Sequence, residues 1–268
     1  MDTVHAFILA IVQGLTEFLP VSSSAHLILV PRFLGWPDQG VGFDVFISLG
    51  TLTAVVAYFR RDLAAIFYHW FRQFGKNCPA DPQQYARLGN LLIFATLPAV
   101  VCGFFLSDYV NEYLRNPLLI AGTTLVFGLL LGVADMLGRK SLPLAQTGWR
   151  AALIYGLAQA LSLIPGVSRS GITMTAGLMM GFSREAAARF SFLMSIPITV
   201  AAATLETGKL LQSDVPQDWT ALWTGFIVSA IAGYLCIKYF LHFLNRYGMW
   251  PHVLYRIALS AVLFIVFI

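Results

Sequence analysis

Gln13-Gly14-Leu15-Thr16-Glu17-Phe18-Leu19-Pro20-Val21-Ser22-Ser23-Ser24-Ala25-His26 and Pro165-Gly166-Val167-Ser168-Arg169-Ser170-Gly171-Ile172-Thr173 interrupt two otherwise apolar regions, at about 4–34 and 149–181. Proline removes a helix donor, and glycine and serine loosen a helix. Each region is therefore expected to form two half-helices around a loop rather than one continuous span. Irregular backbone survives at membrane depth only where protein or a wet cavity satisfies its polar groups, so both loops are expected to line something.

Outward from these stretches, apolar runs of spanning length, roughly 17–25 residues, fall at about 41–59, 88–106, 117–137, 185–205, 219–241 and 251–268. They predict six transmembrane helices. The composition agrees: 58% of the 268 residues are apolar, 14% aromatic and only 11% charged, with a mean hydropathy of +0.74, against about 25% charged in a typical soluble domain. Seventeen Lys+Arg and 13 Asp+Glu cannot clothe a soluble globule of this length, which excludes a water-soluble enzyme. The net charge of +4 and a pI near 9.1 do not imply nucleic acid, because the basic residues are scattered and do not interleave with aromatics. Cys102 and Cys236 in apolar runs and Cys78 in a polar loop lack metal-ligand spacing and read as free thiols. No Lys or Arg precedes the first apolar stretch, so it is expected to stay in the mature protein rather than act as a cleaved signal.

The two interrupted regions resemble each other. A shift of 146 residues lays Ala6 on Ala152, Ile8 on Ile154, Gln13 on Gln159, Leu15 on Leu161, Val21 on Val167, Ser22 on Ser168 and Ser24 on Ser170. This predicts one integral membrane domain, 1–268, made of internal repeats at approximately 1–140 and 146–268. A broken pair plus three spans crosses the membrane an odd number of times, so the second copy must be upside down relative to the first. Charge gives the orientation. The 60–87 loop carries Arg60, Arg61, Arg72, Lys76 and Arg87, and the 138–150 loop carries Arg139, Lys140 and Arg150. The 107–116 and 206–218 loops carry one basic residue each, Arg115 and Lys209, and are mainly acidic. The positive-inside rule makes the first two cytoplasmic. Both termini then lie outside, and the two broken segments enter from opposite faces with their tips meeting near the midplane. The expected fold is an all-α polytopic membrane protein with an inverted-topology repeat, six transmembrane helices and two opposed re-entrant helix–loop–helix hairpins.

An ionisable group within a membrane costs about 2.5–3.5 kcal/mol on insertion scales and is a functional candidate by default. Glu17 and His26 flank the first loop, and Arg169 lies within the second. With Ser22, Ser23, Ser24, Ser168, Ser170 and Thr173, and the free N–H groups of half-helix N-termini, they suit a phosphate or pyrophosphate. Arg169 would clamp phosphate oxygens, the hydroxyls would donate to others, and Glu17 with Gln13, four residues earlier on the same helix face, would offer oxygens to Mg²⁺ or Ca²⁺. Ser23 and His26, three apart, could also form a nucleophile–base pair, although that spacing more often marks a cap or a satisfied polar contact. Elsewhere, Asp135 reads as a solvated span end, Ser183 as a helix cap, and Arg184 as part of that helix start or as a contact for anionic headgroups or substrate.

The two motifs, their separation, the Phe190-Ser191-Phe192-Leu193 run followed by Ile196-Pro197, and the hydropathy profile resemble those of the bacterial undecaprenyl-pyrophosphate phosphatases, the bacitracin-resistance protein family, over nearly the whole chain. Gln13 stands where many members carry Glu, and Ala25 replaces a common Gly. The resemblance implies metal-dependent hydrolysis of undecaprenyl pyrophosphate to the monophosphate, recycling the lipid carrier of cell-wall synthesis in the bacterial plasma membrane. It implies that Glu17 holds metal or positions water, and that Ser23 or a metal-bound water attacks with His26 as general base or acid. Ser168, Arg169, Ser170 and Thr173 would grip the pyrophosphate. It further implies a site open to the extracytoplasmic face. The expected partners are the polyprenyl pyrophosphate and membrane lipids, with a homodimer left open. A secondary transporter or flippase of a lipid-linked or small phosphate anion is the competing reading, since inverted repeats with broken helices are usual there, but it needs no nucleophile beside its anion clamp.

Overall fold

The computed structural model describes residues 2–75, 81, 84–114, 116–210 and 218–267. Lys76, Cys78 and Arg115 lie outside the described residues, as does the side chain of Lys209. Among the described residues the chain is all α-helical apart from one 3₁₀ turn and an isolated bridge between Leu142 and Phe182.

The helices are α1 (Thr3–Thr16), α2 (Ser23–Leu34), α3 (Val41–Tyr58), α4 (Arg60–Arg72), α5 (Tyr85–Tyr113), α6 (Pro117–Leu137), α7 (Trp149–Leu161), α8 (Arg169–Met179), α9 (Arg184–Leu210), α10 (Trp219–Tyr247) and α11 (Trp250–Phe267). Local chemistry starts and stops them. Asp2 caps α1 by accepting from the Val4 N–H, Asn116 caps α6 with Pro117 at the first helical position, and Asp218 caps α10 through the Ala221 N–H. Gly35, at φ +67°, closes α2 in the left-handed conformation that costs glycine least.

By length and composition five helices can cross a membrane: α5, α6, α9, α10 and α11. The bent pair α3–α4, with 77° between its halves, makes six if counted as one span. The protein thus has the architecture of a multi-pass membrane protein. The regions read as broken are broken: α1 ends at Thr16 and α2 begins at Ser23, while α7 ends at Leu161 and α8 begins at Arg169.

Two expectations need correction. The 60–87 stretch was expected as a charged loop, but residues 60–72 form α4, whose Phe67 and Phe71 are exposed and whose Trp70 Nε1 donates to Asn90 Oδ1 at 2.7 Å. Charge counting missed it because basic residues and exposed aromatics are also the signature of a helix lying at an interface. Asp135 is not solvated. Its side chain is 1% exposed and accepts from Arg184 Nε and Nη2 at 2.6 and 2.9 Å and from the Met249 N–H at 3.2 Å, with Lys140 Nζ 3.6 Å away. Arg184 is thereby committed to tying α6, α9 and the start of α11 together, while Ser183 does cap its helix through the Ala186 N–H.

Packing places the breaks. α10 lies against α1 and α3, α5 against α7 and α9, and α11 against α6. α1 and α10 approach closely at Gly14, where a Cβ would lie 2.6 Å from the Ala232 methyl; α7 and α5 do the same at Gly156, where a Cβ would lie 2.5 Å from the Ala95 carbonyl oxygen. The largest core cluster runs beneath the first break: Phe192 of α9 meets Phe18 edge to face at 5.4 Å and also contacts Phe59 and Phe240. Asp62, Arg87, Thr147, Ser183 and Arg189 line one cavity of about 370 Å³, so the 60–87, 138–150 and 183–189 segments gather at one end of the bundle.

Candidate active site

The two breaks meet. Their backbones bend alike: Ser22 (φ +74°, ψ +92°) and Ser168 (φ +72°, ψ +114°) occupy a region rarely adopted by non-glycine residues, and each immediately precedes the second half-helix. Such residues cost about 1–3 kcal/mol each and cluster at functional sites. In both breaks the next serine but one lies close, with Ser22 Oγ 3.3 Å from Ser24 Oγ and Ser168 Oγ 3.3 Å from Ser170 Oγ. Gly166, at φ +88°, completes the second turn, and its Cβ position is already filled by Thr123, so no larger residue fits.

Contacts between the breaks are polar. Arg169 Nη2 donates to Glu17 Oε1 at 2.6 Å, and Ser170 Oγ donates to the Leu19 carbonyl at 2.8 Å. The other carboxylate oxygen, Glu17 Oε2, accepts from Ser23 Oγ at 2.6 Å and from Gln13 Nε2 at 3.0 Å. Glu17 is thus the hub of the assembly. Its partner Arg169 keeps Nη1 buried and without a hydrogen-bond partner, a donor aimed at something the protein does not supply.

Around this pair lies a cavity of about 160 Å³ lined by Glu17, Ser22, Ser23, Ser24, Ser162, Ser168, Arg169 and Ser170. The N-termini of α2 and α8 both open on it. α8 uses the Ser168 hydroxyl to cap the Gly171 N–H at 3.1 Å, whereas α2 has no side-chain cap, leaving its first amides for an acceptor. A guanidinium, seven hydroxyl or carboxyl side chains and helix N-termini thus surround a small polar void with hydrogen-bond donors and one positive charge.

Of the expected site residues, Glu17, Ser22, Ser23, Ser24, Ser168, Arg169 and Ser170 are brought together. Gln13 lies behind Glu17. Thr173 is fully buried below the lining, bonded to Ser191 Oγ at 2.7 Å and to the Arg169 carbonyl at 2.7 Å. His26 is turned away from Ser23, with Nδ1 on the Ser22 carbonyl at 2.7 Å and Nε2 on the Tyr255 hydroxyl at 2.6 Å. Ser162 joins the lining unannounced, although its place at the start of the second break was a usable signal.

Arg256 was missed altogether. It is completely buried, and its guanidinium donates to the carbonyls of Gly166 (2.8 Å), Val167 (3.1 Å), Pro20 (3.3 Å) and Thr124 (3.0 Å), so it ties both breaks to α6 and α11. Intramembrane arginines are sustained by such carbonyls as well as by carboxylates.

The sequence matches the model of the bacitracin resistance protein BacA family over residues 6–262. The chain belongs to this family. It is also 53% identical, over 263 residues covering 98% of both chains, to a protein of Dichelobacter nodosus (strain VCS1703A) named undecaprenyl-diphosphatase. Both motifs of the bacitracin-resistance resemblance lie inside the matched span, and both form the walls of the cavity.

Whether a divalent cation fits can be tested on the donor set. Among the described residues no cluster of three or more His, Cys, Asp or Glu exists. Gln13 Oε1, however, is a buried acceptor without a partner beside the Glu17 carboxylate. Two hard oxygen donors suit Mg²⁺ or Ca²⁺ of the kind that take their remaining ligands from phosphates and water, and the residues fit a cation held jointly with substrate.

Proposed function

We propose that the protein hydrolyses undecaprenyl pyrophosphate to undecaprenyl phosphate and phosphate, recycling the carrier lipid and conferring bacitracin resistance. The name of the Dichelobacter relative and the family's description support this. The observation that carries it is the Glu17 carboxylate bridging the breaks, one oxygen on the Ser23 hydroxyl and the other on Arg169, both at 2.6 Å. A serine whose proton already points at a carboxylate, beside a guanidinium with a vacant donor, is a nucleophile, a base and an anion clamp in one cavity.

Ser23 Oγ attacks the terminal phosphorus as its proton passes to Glu17. The bond to the bridging oxygen breaks, and undecaprenyl phosphate leaves, its developing charge met by Arg169 and taking the proton back from Glu17. Water then attacks the phosphoserine, giving a proton to Glu17; the bond between phosphorus and Ser23 Oγ breaks, Glu17 returns the proton to Oγ, and inorganic phosphate departs with both residues restored. Ser22, Ser24, Ser168 and Ser170 and the α2 amides hold the phosphate oxygens, while Thr173 braces Arg169 from below. Gln13 and Glu17 would hold Mg²⁺ or Ca²⁺, which supplies charge neutralisation to the pyrophosphate when bound.

The inverted repeat belongs to the same reading. It is supported by the equivalent strained serines, by half-helices starting at Ser23 and Arg169, 146 residues apart, and by α1 lying on α10 as α7 lies on α5. In this arrangement the termini and the cavity face outside the plasma membrane, with the basic end inside. In a cysteine-free background, D38C should react with an impermeant thiol reagent from outside intact cells and R61C only after permeabilisation; the reverse pattern refutes this orientation.

The activity is tested by phosphate release from undecaprenyl pyrophosphate in detergent. Glu17→Ala, Ser23→Ala and Arg169→Ala should each lose about 10²–10⁴-fold, the range of general-base and oxyanion contributions, and EDTA should suppress the wild type. Absence of release by the wild type, where another lipid phosphatase works in the same assay, sinks the assignment.

A further inference from the structure

We propose that Tyr255 is a positioning residue for this reaction, acting through His26 to hold the backbone of Ser22 and thereby the nucleophile next to it. The inference rests on the proposed hydrolysis and deepens it.

A carbonyl oxygen only accepts, so the 2.7 Å contact between His26 Nδ1 and the Ser22 carbonyl places a proton on Nδ1. The other ring nitrogen, Nε2, shares a 2.6 Å hydrogen bond with the Tyr255 hydroxyl, which donates to it when the ring is neutral. The two rings lie nearly parallel, 14° apart with centroids 5.7 Å apart, which fixes the imidazole plane. Both nitrogens are thus engaged away from Ser23, whose own proton is directed to Glu17. In this geometry His26 is a strut.

What the strut holds is the strained residue. The Ser22 carbonyl otherwise accepts only the His26 backbone N–H, at a long 3.3 Å, so the ring contact is the short bond that keeps Ser22 at positive φ. Ser23 follows directly, and its 2.6 Å bond to Glu17 depends on where that backbone turns. The second break makes the same turn at Ser168 without an imidazole, for Ile172 stands where His26 would repeat. Arg256 does the holding there, through the Gly166 and Val167 carbonyls. Tyr255 and Arg256 are consecutive on α11, so one turn of that helix fastens both halves of the site: Tyr255 through His26, Arg256 directly.

The test is a double-mutant cycle with one diagnostic substitution. Y255F keeps the ring and removes the hydroxyl; it should lower kcat by about 10-fold with KM for undecaprenyl pyrophosphate within about twofold. H26A should lose more, and Y255F added to H26A should cost nothing further, because the residues act as one unit. H26N retains an N–H able to reach the Ser22 carbonyl but cannot take up a proton, and should stay within about threefold of Y255F. Thermal midpoints in detergent identify any variant that has lost its fold, and H26N and Y255F, the conservative pair, carry the conclusion. Multiplicative losses in the cycle, or H26N falling about 10²–10⁴-fold as a missing general base would, overturn the proposal. An inactive wild type overturns the hydrolase reading instead, so the two failures are distinguishable.

Discussion

The break at 17–22 and the break at 162–168 share a backbone and divide a chemistry. Both turn on a serine at positive φ, both start a half-helix on the next residue, and both hold a pair of serine hydroxyls 3.3 Å apart. Beyond that they part: Glu17 against Leu163, Ser23 against Arg169, His26 against Ile172. The first carries the carboxylate and the serine bonded to it, and the second the guanidinium that pairs with that carboxylate. A turn that directs helix amides toward an anion occurs on both sides, whereas two copies of the same charge a few ångströms apart would have repelled. The shared geometry shapes the cavity, and the asymmetry supplies the chemistry proposed for it.

This comparison can be broken at α11. Arg256→Met removes the donor that joins both breaks, strips the Pro20 and Val167 carbonyls of that donor in a buried setting and leaves the Gly166 carbonyl with only the long 3.4 Å contact from Thr124 Oγ1. An unmet buried acceptor costs about 1–3 kcal/mol, so a loss of about 3 kcal/mol or more is expected, seen as a clear drop in the thermal midpoint in detergent. An unchanged midpoint would mean that the breaks do not need α11. The smallest effect sharpens the likeness. Ser22→Gly relieves a strained φ where the hydroxyl caps nothing, and should stabilise by about 1 kcal/mol. Ser168→Gly relieves the same strain but loses the cap on the Gly171 N–H, worth a few tenths when glycine replaces it, and should gain less. Equal shifts in the two midpoints would show the caps to be irrelevant. Both substitutions remove a cavity hydroxyl, so stability rather than turnover is the readout.

Much of this was legible in residue types. Proline, glycine and serine inside apolar runs marked both breaks almost to the residue, because helix propensity fails locally and no tertiary contact can conceal it. Five of the six expected spans followed from hydropathy, and the sixth, at 41–59, is half of the bent pair α3–α4. The helices overran the expected ends: α5 extends to Tyr113 and α10 to Tyr247 because an established helix continues through polar residues beyond the apolar core. The meeting of the two breaks was expected from the opposed hairpins, but Glu17 and Arg169 were assigned to metal and phosphate and not to each other, because spacing along the chain does not pair side chains 152 residues apart. Arg256 was invisible for a definable reason. Its partners are backbone carbonyls, which every residue owns, so no complementary side chain advertised it, and a lone arginine near a segment start looks like an interfacial anchor. The partners of His26 were hidden in the opposite way. A serine three residues before a histidine suggests a pair, but spacing does not fix a rotamer, and the Tyr255 hydroxyl bonded to the ring lies 229 residues downstream. Asp135 looked solvated because a span end is usually wet, and its bidentate contact with Arg184, the Met249 N–H and the nearby Lys140 ammonium account for its burial.

The Glu17–Arg169 bridge also sets an order of events during synthesis. Its partners are 152 residues apart, so the amino-terminal half enters the bilayer with a carboxylate that has no counter-charge, at an insertion cost of about 2.5–3.5 kcal/mol for an intramembrane acid. Until the second break arrives that acid has no partner, and Arg169 enters in turn with a guanidinium that the first break must receive. The cavity is assembled only when the halves close on each other and a stranded acid becomes half of an ion pair.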